Sequence, residues 1–211
     1  MSFIHVDTAN TFFRARHAIK GDLETKIGMS LHVTFNSVKK AWKDFDGTHV
    51  IFHLEGRSWR KDHYAPYKRN RADARAAHNE KEAEEERVFW ETFDEFKKFV
   101  SEKTNCSVLQ HPQLEADDLI AGFIQAHPND NHVIISTDGD FAQLIAPNVK
   151  QYNGVSEVTT THTGYFDAKG KRVIDKKTNE IKLAPNPEWL LFEKCMRGTI
   201  SCFRSGLITK A

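Results

Sequence analysis

Short apolar runs that alternate with longer segments of helical spacing are the feature of this sequence that most limits its fold. A short apolar run is typical of a buried strand, and apolar residues that recur every three or four positions are typical of a helix. Strands that alternate with helices need crossover connections between them. The sequence therefore predicts an α/β fold, with a mostly parallel central sheet and helices on both of its faces.

The predicted elements follow one another along most of the chain. We expect strands at residues 3–6, 50–54, 108–109, 133–135 and 149–152. Three stripes of apolar side chains predict helices that face the core. The stripes are Leu31, Phe35, Val38 and Trp42; then Val88, Phe89, Phe93, Phe96 and Val100; then Leu119, Ile120, Phe123 and Ile124. The Thr-rich and Lys-rich segment 157–181 predicts a β-hairpin appended at the sheet edge.

The composition narrows the class of protein without indicating a partner. The 30 basic and 29 acidic side chains give a formal net charge of +1, so any nucleic-acid surface must be local. The first residues do not resemble a signal peptide, and no apolar run approaches the roughly 20 residues of a membrane helix. The three cysteines, Cys106, Cys195 and Cys202, form no close pair. We therefore expect a soluble cytoplasmic protein that does not contact a membrane.

Acidic residues follow the predicted strands at the point where each strand ends. In a parallel sheet these ends lie on one edge, so acids from distant parts of the chain should meet there. Clustered carboxylates repel one another unless a cation neutralises them, and oxygen ligands suit Mg²⁺ or Mn²⁺. A cluster of this size can hold two ions, which could clamp a phosphodiester between them. The predicted metal ligands are Asp7, Glu55, Glu115, Asp117, Asp118, Asp138 and Asp140.

Each of these acids also has a purely structural interpretation. Asp7 and Asp138 could cap the helices that follow them, and the three acids of residues 115–118 could stabilise a first helical turn. Glu115 and Asp118 share a helix face by their spacing, whereas Asp117 points about 100° away. Not all three can therefore bind one ion directly, and at least one is expected to act through water.

A basic and aromatic segment, residues 57–71, begins just after Glu55. Its cations can neutralise phosphates, and its Tyr and Trp side chains can stack on unpaired bases. The alternative is an ordinary exposed helix, but the segment leaves the predicted edge that carries the acids. We expect Lys68 and Arg60 to stabilise charge on a phosphate during cleavage. The expected nucleic-acid contacts are Arg57, Lys61, Arg69 and Arg71.

Residues 70–87 are densely charged and rich in Ala, Glu and Arg. This composition is typical of a solvated helix or a mobile loop, and its functional alternative is a flexible arch over a substrate channel. The cysteines form no CxxC pair with which any of the eleven histidines could build a metal finger, and the chain contains no Gly-rich phosphate-binding motif. A zinc finger and a nucleotide-cofactor enzyme are therefore both disfavoured.

Four segments together resemble the 5′-nuclease superfamily of flap endonucleases and polymerase-associated 5′–3′ exonucleases, and most of all the ribonucleases H of T-even-like phages. They are FIHVD, ending at Asp7; SWRKDHYAPYKRNR, beginning at Ser58; LEADD, beginning at Leu114; and IISTDGDFAQL, beginning at Ile134. PNVKQY, from Pro147 to Tyr152, is also similar. The resemblance covers residues 2 to 197 and implies a PIN-like 5′-nuclease domain over residues 1–197.

The resemblance implies a site and a set of partners. Asp7, Glu115, Asp117, Asp118, Asp138 and Asp140 fall where the superfamily holds two magnesium ions. Lys68 falls near the expected scissile phosphate, with Arg60 and Tyr67 beside it, and residues 70–87 correspond to the flexible arch. The implied substrates are DNA or RNA–DNA hybrids with a 5′ end or flap. The implied partners are replication proteins such as a single-strand-binding protein or a clamp, in the host cytoplasm if a phage encodes the chain.

The sequence departs from the superfamily pattern in two places. Glu55 stands where an Asp is usual. After Gly198 the expected GD.SD motif and the helical DNA-binding region that follows it are replaced by an atypical tail, residues 198–211. We therefore expect an incomplete second metal site. A frameshift, a split gene or an intron boundary would account for the tail.

Three other functions compete with the nuclease. A weakened module could bind branched nucleic acid and need a second polypeptide to complete its site. Asp138 and Asp140 could be the DxD pair of an aspartate phosphatase, but that pair usually follows the first strand and Phe141 does not suit it. A single-domain toxin ribonuclease shares the acidic cluster but lacks the long basic segment and the arch.

Overall fold

The computed structural model describes residues 1–18, 21–70, 73 and 77–197. Its central sheet has seven strands in the order β3-β2-β1-β4-β5-β6-β7, and the first five of these are parallel. The strands are β1 (Ser2–Asp7), β2 (His49–Leu54), β3 (Ser107–Gln110), β4 (Asn131–Ile135), β5 (Val149–Asn153), β6 (Val158–Thr161) and β7 (Gly164–Phe166). The predicted α/β class and all five predicted strands are confirmed.

Six helices and one 3₁₀ segment that lie wholly within the described residues connect or follow these strands. They are α1 (Thr8–Ala18), α2 (Leu23–Asp44), α3 (Arg60–His63), α4 (Glu80–Lys103), α5 (Ala116–Ala126), the 3₁₀ segment (Gly139–Leu144) and α6 (Pro187–Arg197). β6 and β7 form the antiparallel hairpin expected at the edge of the sheet. Within the described ranges, no helix is long and apolar enough to span a bilayer.

The sheet is buried on both faces, as the near-continuous apolar strands require. On one face Ile4, Val6 and Phe52 pack with Phe12 of α1 and with the aromatic stripe of α4. On the other face Ile134 packs with α5. The stripe predicted for α4 is confirmed, because Phe89, Phe93, Phe96 and Val100 are all buried.

The stripe predicted to bury α2 is partly wrong. Phe35 and Trp42 are 39% and 43% exposed, and the buried side chains of α2 lie one position before each member of the expected stripe. Small side chains on that line let α2 approach its neighbours closely, and their hydroxyl groups bond to carbonyls one turn back. The buried residues are Ser30, Thr34, Ser37 and Ala41.

Three histidines form a hydrogen-bonded row across the middle of the sheet. His53 Nε2 lies 3.0 Å from His5 Nδ1, and His5 Nε2 lies 3.0 Å from His132 Nδ1. His132 Nε2 is 2.9 Å from the carbonyl of His127, which can only accept. The three hydrogen bonds of the row therefore all form when every Nε2 carries the hydrogen and all three rings are neutral. Nδ1 of His53, at the end of the row, then has no hydrogen-bond partner among the described residues. Burial lowers the pKa of His5, lowers that of His53 to about 3, and lowers that of His132.

Part of the segment expected to be a flexible arch is helical. α4 begins at Glu80 with a capping box, in which Asn79 accepts from the Glu82 backbone and the Glu82 carboxylate accepts from the Asn79 backbone. Residues 80–87 are thus the first turns of a long helix, because a strong cap and ion pairs such as Arg87 with Glu84 support them. Residues 71, 72 and 74–76 of the predicted arch, and the tail 198–211, lie outside the described residues.

Candidate active-site cleft

The parallel register brings acids from distant segments to one edge of the sheet. Val6 is level with Ile135 of β4, and Asp7 is level with His53 of β2, so Asp7 and Glu55 emerge at the same edge. The chain after β4 reaches Asp138 at this edge, and the chain after β3 reaches Glu115. The expected convergence follows directly from the strand directions.

A cleft of about 760 Å³ opens at this edge. Six of the seven predicted metal ligands line it, and Asp118 is the exception. Three predicted cations also line it, namely Lys61, Lys68 and Arg69. The six acids are Asp7, Glu55, Glu115, Asp117, Asp138 and Asp140.

Asp7 is almost fully buried, at 6% exposure. Ser136 donates a hydrogen bond of 2.8 Å to its Oδ2, and the backbone of Asn10 approaches its Oδ1 at 3.4 Å. Burial, together with the charges of Glu55 and Asp117, raises the pKa of Asp7 to about 7 despite the Ser136 bond. Among the side chains that the structure describes, no cation forms an ion pair with Asp7, so its negative charge would be uncompensated.

Glu55 and Asp117 extend this uncompensated negative charge. Desolvation in the cleft raises the pKa of Glu55. The charge of Lys68 opposes this shift, and the charge of Asp117 adds to it. Desolvation also raises the pKa of Asp117, and the charge of Glu115 adds to it. The three carboxylates with raised pKa values, those of Asp7, Glu55 and Asp117, are therefore the ones that a bound cation would relieve most.

Glu55 is held beside the acidic helix start by a close backbone contact. The Gly56 amide donates to the Leu114 carbonyl at 2.9 Å, and the Arg57 amide donates to the Pro112 carbonyl at 2.8 Å. A Cβ at position 56 would lie 1.9 Å from the His111 carbonyl oxygen, so only glycine fits. This contact joins the end of β2 to the loop before α5.

Glu115 and Asp118 are held by the basic segment. Glu115 receives hydrogen bonds from Arg60 at 3.1 Å, from Tyr67 at 2.8 Å, and from the Lys68 ammonium. Arg60 also binds both oxygens of Asp118, at 2.9 and 2.7 Å. Although burial opposes it, the bonds from Lys68 and Tyr67 keep the pKa of Glu115 below its usual value. The Arg60 bonds lower the pKa of Asp118.

The structural interpretations of the acids also hold in part. Glu115 is the N-cap of α5 and forms a capping box with Asp118, and Asp138 caps the 3₁₀ segment by accepting from the Asp140 amide. Asp140 forms an ion pair with Lys194 of α6, which packs on the 3₁₀ segment. Capping and cleft lining are thus served by the same residues.

The donor chemistry of the cleft fits a hard divalent cation. Its described walls offer carboxylate oxygens in excess of cations, and burial together with neighbouring carboxylates raises the pKa of Asp7. No group of three or more His, Cys, Asp or Glu side chains is already arranged around an ion position in the part of the chain that the structure describes. The reason is visible at Glu115, Asp118 and Asp140, whose oxygens are directed at Arg60, Lys68 and Lys194.

Not every predicted basic contact faces the cleft. Arg57 is 63% exposed and pairs with Asp62 of α3. Arg60 does not line the cleft but reaches Glu115 and Asp118 from the side. Arg71 lies outside the described residues. The placement of Arg57 differs from expectation because α3 begins three residues later and offers a nearby carboxylate.

Sequence reasoning missed an aromatic wall of the cleft. Phe13 and Trp90 line it with ring centroids 4.7 Å apart. Asn10 was also missed, and its side-chain oxygen accepts from both the backbone and the hydroxyl of Thr137. Asn10 lies three residues after Asp7, and Phe13 lies six residues after it. This helical spacing puts both on the same face of the helix after the first strand as Asp7, and it was the signal that could have identified them.

Comparisons with known proteins agree with this arrangement. Residues 2–177 match the family model of the 5′–3′ exonuclease N-terminal resolvase-like domain. Flap endonuclease Xni of Aeromonas hydrophila is 31% identical over 155 residues, which are 69% of this chain and 52% of that protein. The chain thus spans about half the length of this curated relative.

Solved structures of a bacteriophage T5 nuclease share the fold. The T5 5′-exonuclease with bound zinc ions superposes with a TM-score of 0.63 at 23% identity, over 76% of this chain and 58% of that one. A substituted T5 flap endonuclease, in a complex with DNA and metal ions, superposes with a TM-score of 0.69 at 20% identity, over 95% of this chain and 68% of that one. At these identities the likeness establishes the fold alone. The match over residues 2–177 shows that the chain is a member of the 5′–3′ exonuclease family and carries its N-terminal resolvase-like domain.

Proposed function

We propose that this chain is a metal-dependent 5′-nuclease that hydrolyses phosphodiester bonds at a 5′ end or flap of DNA or of an RNA–DNA hybrid. One observation supports this most: acids from four separate strand ends and cations of one basic segment line a single cleft. Metal-dependent phosphodiester hydrolysis needs both kinds of side chain, because the acids bind the metal ions and the basic groups attract the anionic strand.

The proposed metal is Mg²⁺ or Mn²⁺, with two ions as the expected number. Asp7, Glu55 and Asp117 would hold one ion, because their charge is least compensated. Asp138 and Asp140 would contribute to a second position. When bound, such ions activate water and stabilise charge on the leaving oxygen.

The chain's own side chains would position the strand. Lys68 and Tyr67 lie at the cleft wall on Glu115, within reach of a phosphate that enters the cleft. Lys61 and Arg69 add positive charge at the entrance, and the rings of Phe13 and Trp90 offer a surface on which an unpaired base can stack. A single strand therefore suits this cleft better than a duplex does.

The finer parts of the proposal have support outside the cleft. The zinc-bound and DNA-bound T5 structures support a divalent metal and a DNA substrate here. Ribonuclease H-type activity, a role in primer or flap removal with replication proteins, and a phage origin are proposed from the sequence resemblance. A cytoplasmic location is consistent with the free thiols of Cys106 and Cys195.

The direct test is cleavage of a 5′-flap DNA and of an RNA–DNA duplex with Mg²⁺ or Mn²⁺. We expect the wild-type chain to cut at least one of them, and the Asp138→Asn, Asp140→Asn double variant to lose the cutting. Asp94→Asn, an exposed acid of α4, is the matched control. Absence of metal-dependent cutting by the wild type would overturn the enzyme. Binding of flap DNA without cutting would instead support a binding module that needs a second polypeptide.

A further inference from the structure

The turn that follows β7, residues 167–171, is basic, and we call it the tip. It belongs neither to the cleft nor to the basic segment described above. We propose that Lys169 and Lys171 on this tip contact the phosphate backbone of duplex DNA beyond the cleavage point. The inference rests on the proposed nuclease function, since it concerns how the same substrate is held.

The register of the strands places the tip on the edge of the sheet that carries the cleft. Val6 pairs with Ile135, Ile135 with Tyr152, Tyr152 with Thr159, and Thr159 with Phe166. β7 is antiparallel to β6, which is antiparallel to β5, so β7 runs in the same direction as β1. The chain therefore leaves β7 at the edge where Asp7 leaves β1.

The distance from the cleft follows from strand spacing. β7 lies four strands away from β1 in the sheet order, which at about 4.8 Å per strand is about 19 Å. At 3.4 Å of rise per base pair, this distance corresponds to about six base pairs. A duplex that ends at the cleft could therefore reach the tip.

The tip is held in a defined shape by its own backbone. The Asp167 carboxylate accepts hydrogen bonds of 2.9 Å from the amides of Lys169 and of Lys171. Gly170 adopts the left-handed conformation, with a φ of 74°. The one acid of the tip is thus directed at the backbone, and both lysine side chains project from an ordered turn.

Neither lysine is neutralised by the protein. Lys169 and Lys171 are exposed, and no ion pair joins either to another residue of the described ranges. Two nearby cations are engaged: Arg172 donates to the Thr163 carbonyl at 2.7 Å, and Lys182 lies 3.8 Å from the centroid of the Tyr165 ring. The neighbouring β5–β6 turn carries the acid Glu157, so we expect two discrete phosphate contacts rather than a continuous basic surface.

The chain supplies a matched control at the opposite end of the sheet. The segment after Arg172 runs antiparallel to β7, so the next turn, with Lys176 and Lys177, points away from the cleft edge. These lysines are equally exposed and likewise have no ion pair to residues described in the structure. Reversing their charge alters the net charge of the protein by the same amount.

The experiment compares Lys169→Glu, Lys171→Glu with Lys176→Glu, Lys177→Glu. Binding to a labelled 5′-flap duplex and to the flap strand alone is measured by fluorescence anisotropy over a salt series, without divalent metal. We expect the tip variant to bind the duplex about tenfold more weakly, with a salt slope smaller by about 2, and the single strand as before. The control should bind both within about twofold of wild type.

Each other result is decisive. Equal weakening in both variants, equal weakening for the single strand, or no weakening at all overturns the tip contact. If the charge reversal unfolds the tip variant, Lys169→Ala, Lys171→Ala replaces it, with a salt slope again smaller by about 2. Because binding is measured without metal, wild-type cutting with no tip effect would overturn only this inference. A tip effect without cutting would overturn only the nuclease.

Discussion

Arg60 holds Asp118 with both terminal nitrogens of its guanidinium group, at N–O distances of 2.9 and 2.7 Å. One of these nitrogens also reaches Glu115 at 3.1 Å. This bidentate contact fixes α3 and the rest of the basic segment against the start of α5. The orientation of Tyr67 and Lys68 toward the cleft therefore depends on it.

Arg60→Ala should loosen the basic segment. Its charged hydrogen bonds are partly buried, so we expect a loss of about 1–3 kcal/mol in the free energy of unfolding, measured in urea. Arg60→Lys should recover only part of this loss, because an ammonium group cannot form the bidentate contact. Arg57→Ala is the control: its exposed pair with Asp62 should contribute less than about 1 kcal/mol. Equal losses for Arg57→Ala and Arg60→Ala would contradict the proposed role.

Lys68 should affect cleavage through its ammonium group and folding through its backbone. It has a φ of 54°, a left-handed conformation that glycine adopts more readily than alanine. Lys68→Ala and Lys68→Gly should both lower kcat by about 10²-fold or more, since both remove a charge near the phosphate. Lys68→Gly should nevertheless be more stable than Lys68→Ala by about 1 kcal/mol. Lys43→Ala, on the surface of α2, should change neither quantity.

The histidine row should make the protein sensitive to mild acid. Unfolded histidines take up protons below about pH 6.5, whereas the folded rings stay neutral because burial lowers their pKa values. Protonation therefore favours the unfolded state: stability from this source is full above pH 6.5 and is lost as the pH falls. Each ring should contribute a slope of about 1.4 kcal/mol per pH unit in the free energy of unfolding.

His53→Phe should remove one such contribution, whatever its effect on stability at neutral pH. The slope between pH 6 and 5, from urea unfolding at each pH, should fall by about 1.4 kcal/mol per pH unit. His162→Asn, at an exposed position of the hairpin, should leave the slope unchanged. An unchanged slope in His53→Phe would mean that the folded ring is protonated.

Asp7→Asn should stabilise the metal-free protein while weakening metal binding. The folded carboxyl keeps its proton up to about pH 7, but in the unfolded chain it ionises near 3.8. Stability from this group is therefore greatest below pH 4 and declines as the pH rises to 7. With chelator at pH 8, Asp7→Asn should raise the free energy of unfolding by about 2–4 kcal/mol.

Metal addition should narrow the difference in stability between the two proteins. At a concentration about 100 times its Kd, Mg²⁺ should stabilise the wild type by about 2.7 kcal/mol, and Asp7→Asn by much less. Thermal unfolding with and without Mg²⁺ measures both effects, with Asp94→Asn as the control. Equal Mg²⁺ stabilisation of wild type and Asp7→Asn would remove Asp7 from the proposed ligands.

The strand sequence predicted the sheet and the cleft edge well because apolar runs and strand ends are local features. The line of burial on α2 was missed because small side chains such as Ser37 and Ala41 are buried by close approach rather than by hydrophobicity. The row formed by His5, His53 and His132 was missed because its members lie in three strands, each of which shows only one isolated histidine. Pairing across a sheet depends on register, which the sequence does not display.

The ion pairs of the cleft could not be predicted for a related reason. Sequence placed Arg57 and Arg60 in one basic segment, but Arg60 is the first residue of the short α3 and Arg57 precedes that helix, so Arg57 meets Asp62 and Arg60 meets Asp118. The ion pair between Lys194 and Asp140 joins residues that are far apart in the sequence, and nothing in the sequence around Lys194 indicates this contact. Such contacts depend on helix placement, which only the folded chain defines.

The contact at Gly56 makes one loop position as intolerant of change as any in the core. The His111 carbonyl would lie 1.9 Å from any added carbon, so even alanine must push the two loops apart. In a library that samples every residue type here, glycine alone should survive selection for folding, although the position bears no side chain. A scan for mutational tolerance would thus mark a residue that contributes, besides one backbone hydrogen bond, only the space that it leaves empty.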